Sequence, residues 1–264
     1  MTTDARTSDD LGTPVAHPRT ACRVVSLVPS LTEAIAATRG DALVGATDWC
    51  THPADLDVVR VRGTKNPDLR AVTDLSPDLV VANQEENREL DVRRLREAGV
   101  AVWVTRIQTV DEAVASMRRL FAEALGWGVP GWLDTVAAAW AAPSRPTTGA
   151  PALRAAVAVW RDPWMVVGRD TFTGDLVSRL GWQHAYAQAD GRYPHVPLED
   201  LDRADLDVVL LPDEPYPFGP SDGPESFTRV PTVLVPGRLL TWYGPSLLEA
   251  RTALADLVTR SATA

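Results

Sequence analysis

Aromatic side chains in segments rich in proline and glycine are the residues of this chain best suited to a chemical task. Two such segments are Arg161-Asp162-Pro163-Trp164 and Leu240-Thr241-Trp242-Tyr243-Gly244-Pro245, in a chain with 9 Trp against 4 Tyr and 4 Phe. Large flat rings can face a bulky apolar ligand while a polar edge stays hydrogen-bonded. Core packing explains a loop tryptophan less well than one in a strand, so ligand contact and core packing both stay open for these residues.

Three patterns that would indicate catalysis or metal binding do not hold. The segment at 126–131 matches GxGxxG, but it follows a predicted helix and its Pro130 breaks the phosphate-cradling turn. The segment at 219–223 matches GxSxG, but surrounding prolines exclude the tight strand-turn-helix that the motif needs. The four histidines stand singly, without the spacing that puts two ligands on one metal: His17, His52, His184 and His195. We therefore predict no catalytic residue, no metal site and no built-in cofactor.

The chain is acidic, with 26 Lys and Arg against 35 Asp and Glu, a net charge of −9 with histidines neutral. Phosphate binding depends on clustered lysine and arginine, so this balance argues against nucleic acid or an anionic membrane as main partner. The length of 264 residues corresponds to one large domain or two small ones.

The acidic turn Glu85-Glu86-Asn87 is either a binding patch or a cap for the following helix.

Cysteines and the first residues bear on the cellular compartment. Cys22 and Cys50 form no CxxC pair and no zinc-type spacing, so neither a redox motif nor a metal framework is indicated. Residues 1–21 lack the apolar stretch of a secretory signal, and no run approaches the roughly 18 apolar residues of a membrane span. We therefore expect a disordered leader over 1–21 and a cytoplasmic protein, or an extracytoplasmic one if the start is misassigned.

Apolar runs alternate with helical patterns along the rest of the chain. Strands are predicted at 23–28, 42–45, 78–82, 100–104, 152–160, 207–211 and 232–235. Helices are predicted at 30–39, 68–75, 88–98, 110–125, 132–142, 174–180, 198–204 and 245–260. Ser30 and Glu33 have the spacing of a capping box for the first helix. This alternation favours two mainly parallel α/β lobes.

The predicted domains are a leader over 1–21, an N-terminal α/β lobe over 22–108, a linking helical segment over 109–151 and a C-terminal α/β lobe over 152–264. The prolines between 142 and 151 make that stretch the best boundary candidate. In such sheets ligands lie beyond the carboxyl ends of the strands, so we expect a cleft between the lobes.

Several stretches, taken in order, resemble a known family. They are Val25-Ser26-Leu27-Val28-Pro29-Ser30 with Thr32-Glu33, Val44-Gly45 through Trp49 to Pro53, Gly63 with Asn66-Pro67, Leu75-Ser76-Pro77-Asp78-Leu79-Val80 with Asn87, Val167-Gly168-Arg169-Asp170, and Thr241-Trp242-Tyr243-Gly244-Pro245. Together they cover about residues 23 to 260 and resemble the Fe/B12 periplasmic-binding family, in particular its cobalamin-binding branch, the helical-backbone metal receptors.

The resemblance implies two α/β lobes joined by a linking helix, the class III periplasmic-binding-protein fold. It implies a non-catalytic protein that captures a corrinoid or an iron chelate between the lobes and delivers it to an ABC transporter.

The resemblance also implies site residues. The family's pocket aromatics match Trp49, Trp164, Tyr193 and Trp242, next to Tyr243. Asn83 is expected to contact the ligand as well, although Asn83 and Thr64 stand where the family often has further aromatics. The polar contributors that we expect are Lys65, Asn66 and Arg169.

One departure concerns docking on the transporter. The family docks through one acidic residue per lobe, each meeting an arginine of the permease; Glu199 fits the second-lobe position, but Arg70 occupies the first. Like charges placed together in an interface cost several kcal/mol.

The leading hypothesis is a corrinoid-type binding protein, a monomer with an ABC permease as partner. The alternatives are a cytosolic corrinoid or haem carrier or sensor on the same scaffold and, with less support, a hydrolase.

Overall fold

Strands and helices alternate along the chain as the sequence predicts. The computed structural model describes residues 5–141 and 152–261, so the predicted boundary at 142–151 lies outside the described residues. The strands are Ala5–Ser8 (β1), Pro14–His17 (β2), Val24–Ser26 (β3), Leu43–Ala46 (β4), Val59–Arg60 (β5), Arg62–Gly63 (β6), Asn66–Pro67 (β7), Leu79–Asn83 (β8), Val102–Thr105 (β9), Arg154–Trp160 (β10), Met165–Val166 (β11), Gln183–His184 (β12), Val208–Pro212 (β13) and Thr232–Val235 (β14). The helices are Pro29–Arg39 (α1), Leu69–Asp74 (α2), Glu89–Glu97 (α3), Val110–Arg119 (α4), Gly131–Trp140 (α5), Phe172–Arg179 (α6), Leu198–Leu201 (α7), Gly237–Thr241 (α8) and Leu247–Ser261 (α9).

The described residues divide into two units. Unit 1 runs to Ile107 and also contains Asp111–Val136 and Tyr243–Pro245. Unit 2 contains Gln108–Val110 and the residues from Ala137 onward, except Tyr243–Pro245. The helix α5 spans the point at which the chain passes from one unit to the other, and it lies within the predicted linking segment 109–151.

Unit 1 contains a five-stranded sheet in the order β5-β4-β3-β8-β9, in which every pairing is parallel. Its central strands are buried along their whole length, as apolar runs in parallel sheets are. On one face Val25, Leu27, Val80 and Leu95 form the core with their neighbours. The carboxyl ends of these strands position the first part of the candidate site.

Helix α1 begins two residues earlier than the predicted capping box requires, at Pro29 instead of Leu31. Pro29 occupies the first turn, where its missing N–H is no loss, and Val28 stands at the N-cap without a side-chain hydrogen bond. The Ser26 hydroxyl lies beside this start and donates to the Val28 carbonyl at 3.1 Å. The capping-box prediction is therefore wrong, and Ser30 and Glu33 are buried residues within the helix.

The predicted disordered leader is wrong for the described part of residues 1–21, because β1 and β2 pair as an antiparallel hairpin. Its turn is closed by Asp9, whose Oδ1 accepts the N–H groups of Leu11 and Thr13, while Gly12 supplies a φ of +79°. The Asp9 side chain is fully buried, and its Oδ2 accepts from Arg96 Nη2 at 2.7 Å. Hydrogen bonds and ion pairs of this kind produce no hydrophobic pattern in a sequence. The sequence therefore does not predict the hairpin.

Tryptophans fill the space around the helical segment of unit 1. A π-helical turn, Leu120–Ala124, continues α4, and the Phe121 ring lies 6.1 Å from Trp127 and 5.9 Å from Trp132. Trp132 Nε1 donates to Thr38 Oγ1 at 3.0 Å. Packing against Phe121 therefore accounts for part of the high tryptophan content, while Gly128, Val129 and Gly131 of the GxGxxG-like segment are exposed.

Unit 2 contains a five-stranded sheet in which β11-β10-β13-β14 are neighbours and β12 pairs with the first half of β10. Only the short β11 runs antiparallel, so the sheet is mainly parallel as predicted. Its core includes Trp164, Val209, Leu211 and Phe218. No helix among the described residues is long and apolar enough to cross a bilayer.

Candidate functional site

Trp49 is the most exposed large apolar side chain of unit 1. It follows the carboxyl end of β4, and 66% of its surface is accessible. Its indole nitrogen lies close to Gly63, where an added Cβ would stand 3.4 Å from Nε1. An exposed indole at the carboxyl end of a parallel sheet can present a flat face to a ligand.

The hairpin β6–β7 places Lys65 and Asn66 near Trp49. Both side chains are exposed, and the Asn66 side chain lies over Gly63, where a Cβ would meet Oδ1 at 2.4 Å. Lys65 Nζ donates to the Glu85 carbonyl at 2.5 Å. Lys65 is also the single lysine of the sequence. Trp49, Lys65 and Asn66 thus form one polar and aromatic surface of unit 1, which we call the Trp49 surface.

Asn83 lies behind the Trp49 surface rather than on it. It is buried at the end of β8, where Nδ2 donates to Thr105 Oγ1 at 3.1 Å and Oδ1 accepts from the Glu85 N–H at 2.8 Å. These bonds shape the turn that contains Glu85 and Glu86. Asn83 is therefore buried and does not offer the surface that the predicted ligand contact requires. Its hydrogen bonds stabilise the loop instead.

Tyr243 is buried within unit 1. Its hydroxyl donates to Glu86 Oε1 at 3.2 Å, and burial together with the nearby Glu86 carboxylate raises the pKa of the phenol well above its usual value. The next residue, Gly244, approaches the Ser30 carbonyl so closely that a Cβ would stand 3.1 Å from it. Glu86 of the acidic turn thus accepts a hydrogen bond from Tyr243, and Tyr243 has little surface left for a ligand.

Trp164, the first predicted ring of unit 2, is 8% exposed and lies in the core. Its ring stacks on Phe218 at 5.7 Å and meets Phe227 edge-on at 5.3 Å. The Arg161 guanidinium covers it, with Cζ 5.5 Å from the ring centroid. This environment favours core packing, the alternative that the sequence left open for Trp164.

Trp242 is also buried, with 5% of its surface accessible. Its Nε1 donates to Glu214 Oε1 at 2.5 Å, and Thr241 Oγ1 donates to the same oxygen at 2.9 Å. Burial raises the pKa of the Glu214 carboxyl, although the two donated bonds oppose that change. Trp242 is thus fixed by a carboxylate from the end of β13.

Tyr193 and Arg169 are exposed residues of unit 2. Tyr193 is 38% exposed and lies in a loop that runs beside β11, where the Gly168 N–H donates to the Arg192 carbonyl at 2.7 Å. The Arg169 side chain is half exposed and lies 3.8 Å from both Asp170 and Asp190. These two predicted residues keep surface that a ligand can reach.

The predicted docking positions are both exposed. Glu199 lies in the short helix α7 of unit 2. Arg70 lies in α2 of unit 1, with its side chain 90% exposed and 3.8 Å from Asp74 one helical turn away. The charge reversal at Arg70 is therefore partly offset by a neighbouring carboxylate.

Metal-ligating side chains do not converge in the part of the chain that the structure describes, since no three His, Cys, Asp or Glu residues stand together there. His184 is buried with its Nε2 3.0 Å from the Val167 carbonyl, and burial lowers its pKa. Cys50 lies between the Thr32 and Thr47 hydroxyls, and burial raises the pKa of its thiol. These contacts are those of packed interior residues.

Trp160 is an exposed aromatic residue that sequence reasoning assigned only to a strand. It ends β10, is 44% exposed, and meets the Tyr216 ring edge-on at 5.3 Å. A signal was present, because a tryptophan at the last position of a predicted strand lies at the carboxyl end of the sheet.

The sequence is similar to proteins that bind solutes. The vitamin B12-binding protein of Vibrio cholerae is 31% identical over 108 residues, which cover 40% of this chain and 39% of that protein. An ABC transporter substrate-binding lipoprotein of Bacillus subtilis is 33% identical over 102 residues, 37% of this chain and 32% of that protein. The chain thus matches less than half the length of either relative. No protein-family profile matches it.

The fold is similar to that of solved periplasmic proteins. A periplasmic heme-binding protein of Roseiflexus, in apo form, has a TM-score of 0.74 at 23% identity, covering 91% of this chain and 98% of that one. The periplasmic vitamin B12-binding protein of Vibrio cholerae has a TM-score of 0.69 at 18% identity with the same coverage. The predicted class III periplasmic-binding-protein fold is confirmed, and so is the resemblance to the Fe/B12 periplasmic-binding family.

The predicted cytoplasmic location is contradicted by the same comparisons. Both structural neighbours are periplasmic proteins, and the Bacillus subtilis relative is a lipoprotein. The prediction depended on the lack of a signal-type apolar segment in residues 1–21 and of an apolar run long enough to span a membrane. The similar proteins point instead to an extracytoplasmic location.

Proposed function

We propose that this protein is a non-catalytic solute-binding protein that captures a corrinoid, such as a cobalamin, or an iron chelate. The observation that carries this proposal is the Trp49 surface, an exposed indole beside an amine and an amide at the carboxyl end of the unit 1 sheet. The 31% identity with a vitamin B12-binding protein supports the ligand class.

The chemistry of a corrinoid suits such a surface. A corrin is a broad and partly apolar plate, so an indole face can cover it while its amide rim accepts and donates hydrogen bonds. Its metal is already coordinated by the macrocycle, so the protein has no need to supply a cluster of ligands. Lys65 and Asn66 are placed to meet the polar rim of a ligand that lies against Trp49.

Apolar burial sets the scale of the affinity. If Trp49 buries about 75 Å² more on binding, roughly 25 cal/mol per Å² gives about 2 kcal/mol. Association itself costs more than this, so further contacts are needed for micromolar binding. Lys65, Asn66 and Arg169 are the polar residues that we assign to this task.

We also propose that the protein is a monomer that delivers its ligand to an ABC transporter permease, as the name of the Bacillus subtilis relative suggests for that protein. Glu199 offers an exposed carboxylate in unit 2. At the corresponding place in unit 1, the Asp74 carboxylate lies 3.8 Å from Arg70, so docking there depends on a permease surface that accepts a paired arginine and aspartate.

Isothermal titration calorimetry with cyanocobalamin, cobinamide and ferric siderophores tests the binding function. We expect binding of one of these probes in the micromolar range or tighter. Trp49→Ala should weaken that binding about tenfold or more, which corresponds to 1.4 kcal/mol. Leu248→Ala, which shortens an exposed apolar side chain in α9, is the matched control and should bind like the wild type. Lack of heat with every probe at tens of micromolar would reject the proposal.

A further inference from the structure

We infer that Trp160 is a ligand-contacting residue of unit 2 and takes the role that the sequence assigned to Trp164. This inference rests on the proposed function, because it concerns the ring that a flat, conjugated ligand meets in this unit. Four observations carry it: the position of Trp160 in the sheet, its exposure, the support behind its ring and the burial of Trp164.

Trp160 lies where ligands bind in sheets of this type. The parallel strands β10, β13 and β14 end at Trp160, Pro212 and Val235, so the indole stands at the carboxyl edge of the unit 2 sheet. Ligands of open α/β sheets bind beyond this edge. Trp49 stands at the equivalent edge of the unit 1 sheet.

The exposed ring is held in place from behind. Tyr216 meets it at 5.3 Å with an interplanar angle of 80°, an edge-to-face geometry that is favourable for aromatic pairs. The Tyr216 hydroxyl donates to Asp222 Oδ2 at 2.8 Å, and Arg161 pairs with the other oxygen of Asp222. Arg161 Nη1 also donates to Glu225 Oε1 at 2.6 Å. The residue next to Trp160 is therefore anchored by two carboxylates.

A ring fixed in this way is suited to binding. An immobilised side chain loses little rotamer freedom when a ligand arrives, so more of the contact energy remains as affinity. Leaving an indole 44% exposed to water forgoes hydrophobic stabilisation, which a ligand stacked on the ring would recover.

The neighbouring strands extend the same surface. Met165 lies opposite Trp160 in the β10–β11 register, and His195 lies opposite Met165 in the next segment. That segment also contains the exposed Tyr193, two residues before His195. Trp164, by contrast, stacks on Phe218 inside the core. The hairpin thus contains one interior tryptophan and one that faces solvent.

Fluorine NMR of protein labelled with 5-fluorotryptophan observes the contact directly. The nine tryptophans give separate signals, and those of Trp160, Trp164 and Trp49 are assigned by their loss in Trp160→Phe, Trp164→Phe and Trp49→Phe. With saturating cyanocobalamin, or the probe that binds in calorimetry, we expect the Trp160 signal to shift or broaden, and that of Trp164 to change much less. A Trp49 signal that moves while that of Trp160 stays fixed would overturn the inference and leave the proposed function standing.

Affinity measurements give a second test. Trp160→Ala should weaken probe binding about tenfold, Trp160→Phe should retain most of the affinity, and both should unfold close to the wild-type midpoint because the ring is exposed. Leu248→Ala again serves as the control. Equal affinities for Trp160→Ala and Leu248→Ala would overturn the inference. If the wild type binds no probe at all, the proposed function itself fails.

Discussion

Asn87 Nδ2 donates a hydrogen bond of 3.0 Å to the Thr64 carbonyl and thereby fastens the turn that presents Lys65 and Asn66. The same amide donates to the Leu27 carbonyl at 3.2 Å, and its oxygen accepts from the Asn83 N–H at 2.9 Å. One buried side chain therefore ties the end of β3, the end of β8 and the β6–β7 hairpin together. The turn that presents Lys65 and Asn66 on the Trp49 surface depends on this junction.

Replacing Asn87 by alanine should loosen that junction. Because Asn87→Ala leaves a buried N–H and two carbonyls without this partner, we expect a loss of about 2–3 kcal/mol in the free energy of unfolding. Binding of the calorimetric probe should weaken as well. Urea denaturation measures the first effect. Gln84→Ala, an exposed position in the same loop, should change neither quantity. Wild-type stability in Asn87→Ala would contradict the role of the junction.

Removal of the Trp164 ring should lower the stability of the protein, whereas removal of the Trp49 ring should lower its affinity for the ligand. Trp164→Ala removes a ring from the core of unit 2 and should cost about 3–5 kcal/mol in the free energy of unfolding. Trp49→Ala removes a ring that is 66% exposed and should change stability by less than about 0.5 kcal/mol, while ligand affinity falls. Chemical denaturation of the two variants, measured side by side, decides this. Similar losses of stability would show that Trp49 packs more than its exposure indicates.

The N-terminal hairpin should contribute to the stability of unit 1. Asp9→Ala removes a fully buried carboxylate and leaves Arg96 without this ion pair, so we expect a loss of at least about 2 kcal/mol. Asp41→Ala breaks an exposed pair with Arg39 at 3.7 Å and should change the free energy of unfolding by less than about 1 kcal/mol. If the two variants have equal denaturation midpoints, the hairpin is not a stabilising element.

The Asp202 carboxylate should make the stability of the native state depend on pH in the acidic range. Burial alone would raise its pKa, but hydrogen bonds from the backbone of Thr228, Arg229 and Val230 hold it at about 2, below the ordinary 3.8. A carboxylate whose pKa is lowered by folding stabilises the native state above pH 4, and this stabilisation is lost as the pH falls towards 2.

Asp202→Asn should therefore lower the free energy of unfolding at neutral pH and flatten its decline between pH 4 and pH 2. Urea denaturation across that pH range measures the slope. The control, Asp190→Asn, alters a side chain that is fully exposed and should keep the wild-type slope. An unchanged slope in Asp202→Asn would contradict the lowered pKa.

The alternation of strands and helices was predictable because burial in parallel sheets leaves continuous apolar runs, such as Leu79–Asn83 and Val208–Pro212. The N-terminal hairpin was not predictable on that basis. It is held by Asp9 and Asp10, whose partners Arg96 and Arg119 are about a hundred positions away in the sequence. Local sequence patterns contain no information on contacts of that range.

The candidate site was predicted in part. Trp49, Lys65, Asn66 and Tyr193 are exposed, as a ligand-contacting role requires. Trp160 and Trp164 belong to one hairpin and are chemically alike, yet only Trp164 points into the core. That direction is decided by Phe218 and Phe227, which are distant in sequence, so residue type and turn chemistry alone select the wrong tryptophan.

The single lysine on the Trp49 surface decides how this protein can be handled in the laboratory. Dyes, resins and sensor chips that couple to amines will attach at Lys65 or at the N-terminal amine. Attachment at Lys65 would obstruct the ligand in our assignment and mimic an inactive preparation. The thiol of Cys22, which is exposed while Cys50 is buried, offers an attachment point away from that surface.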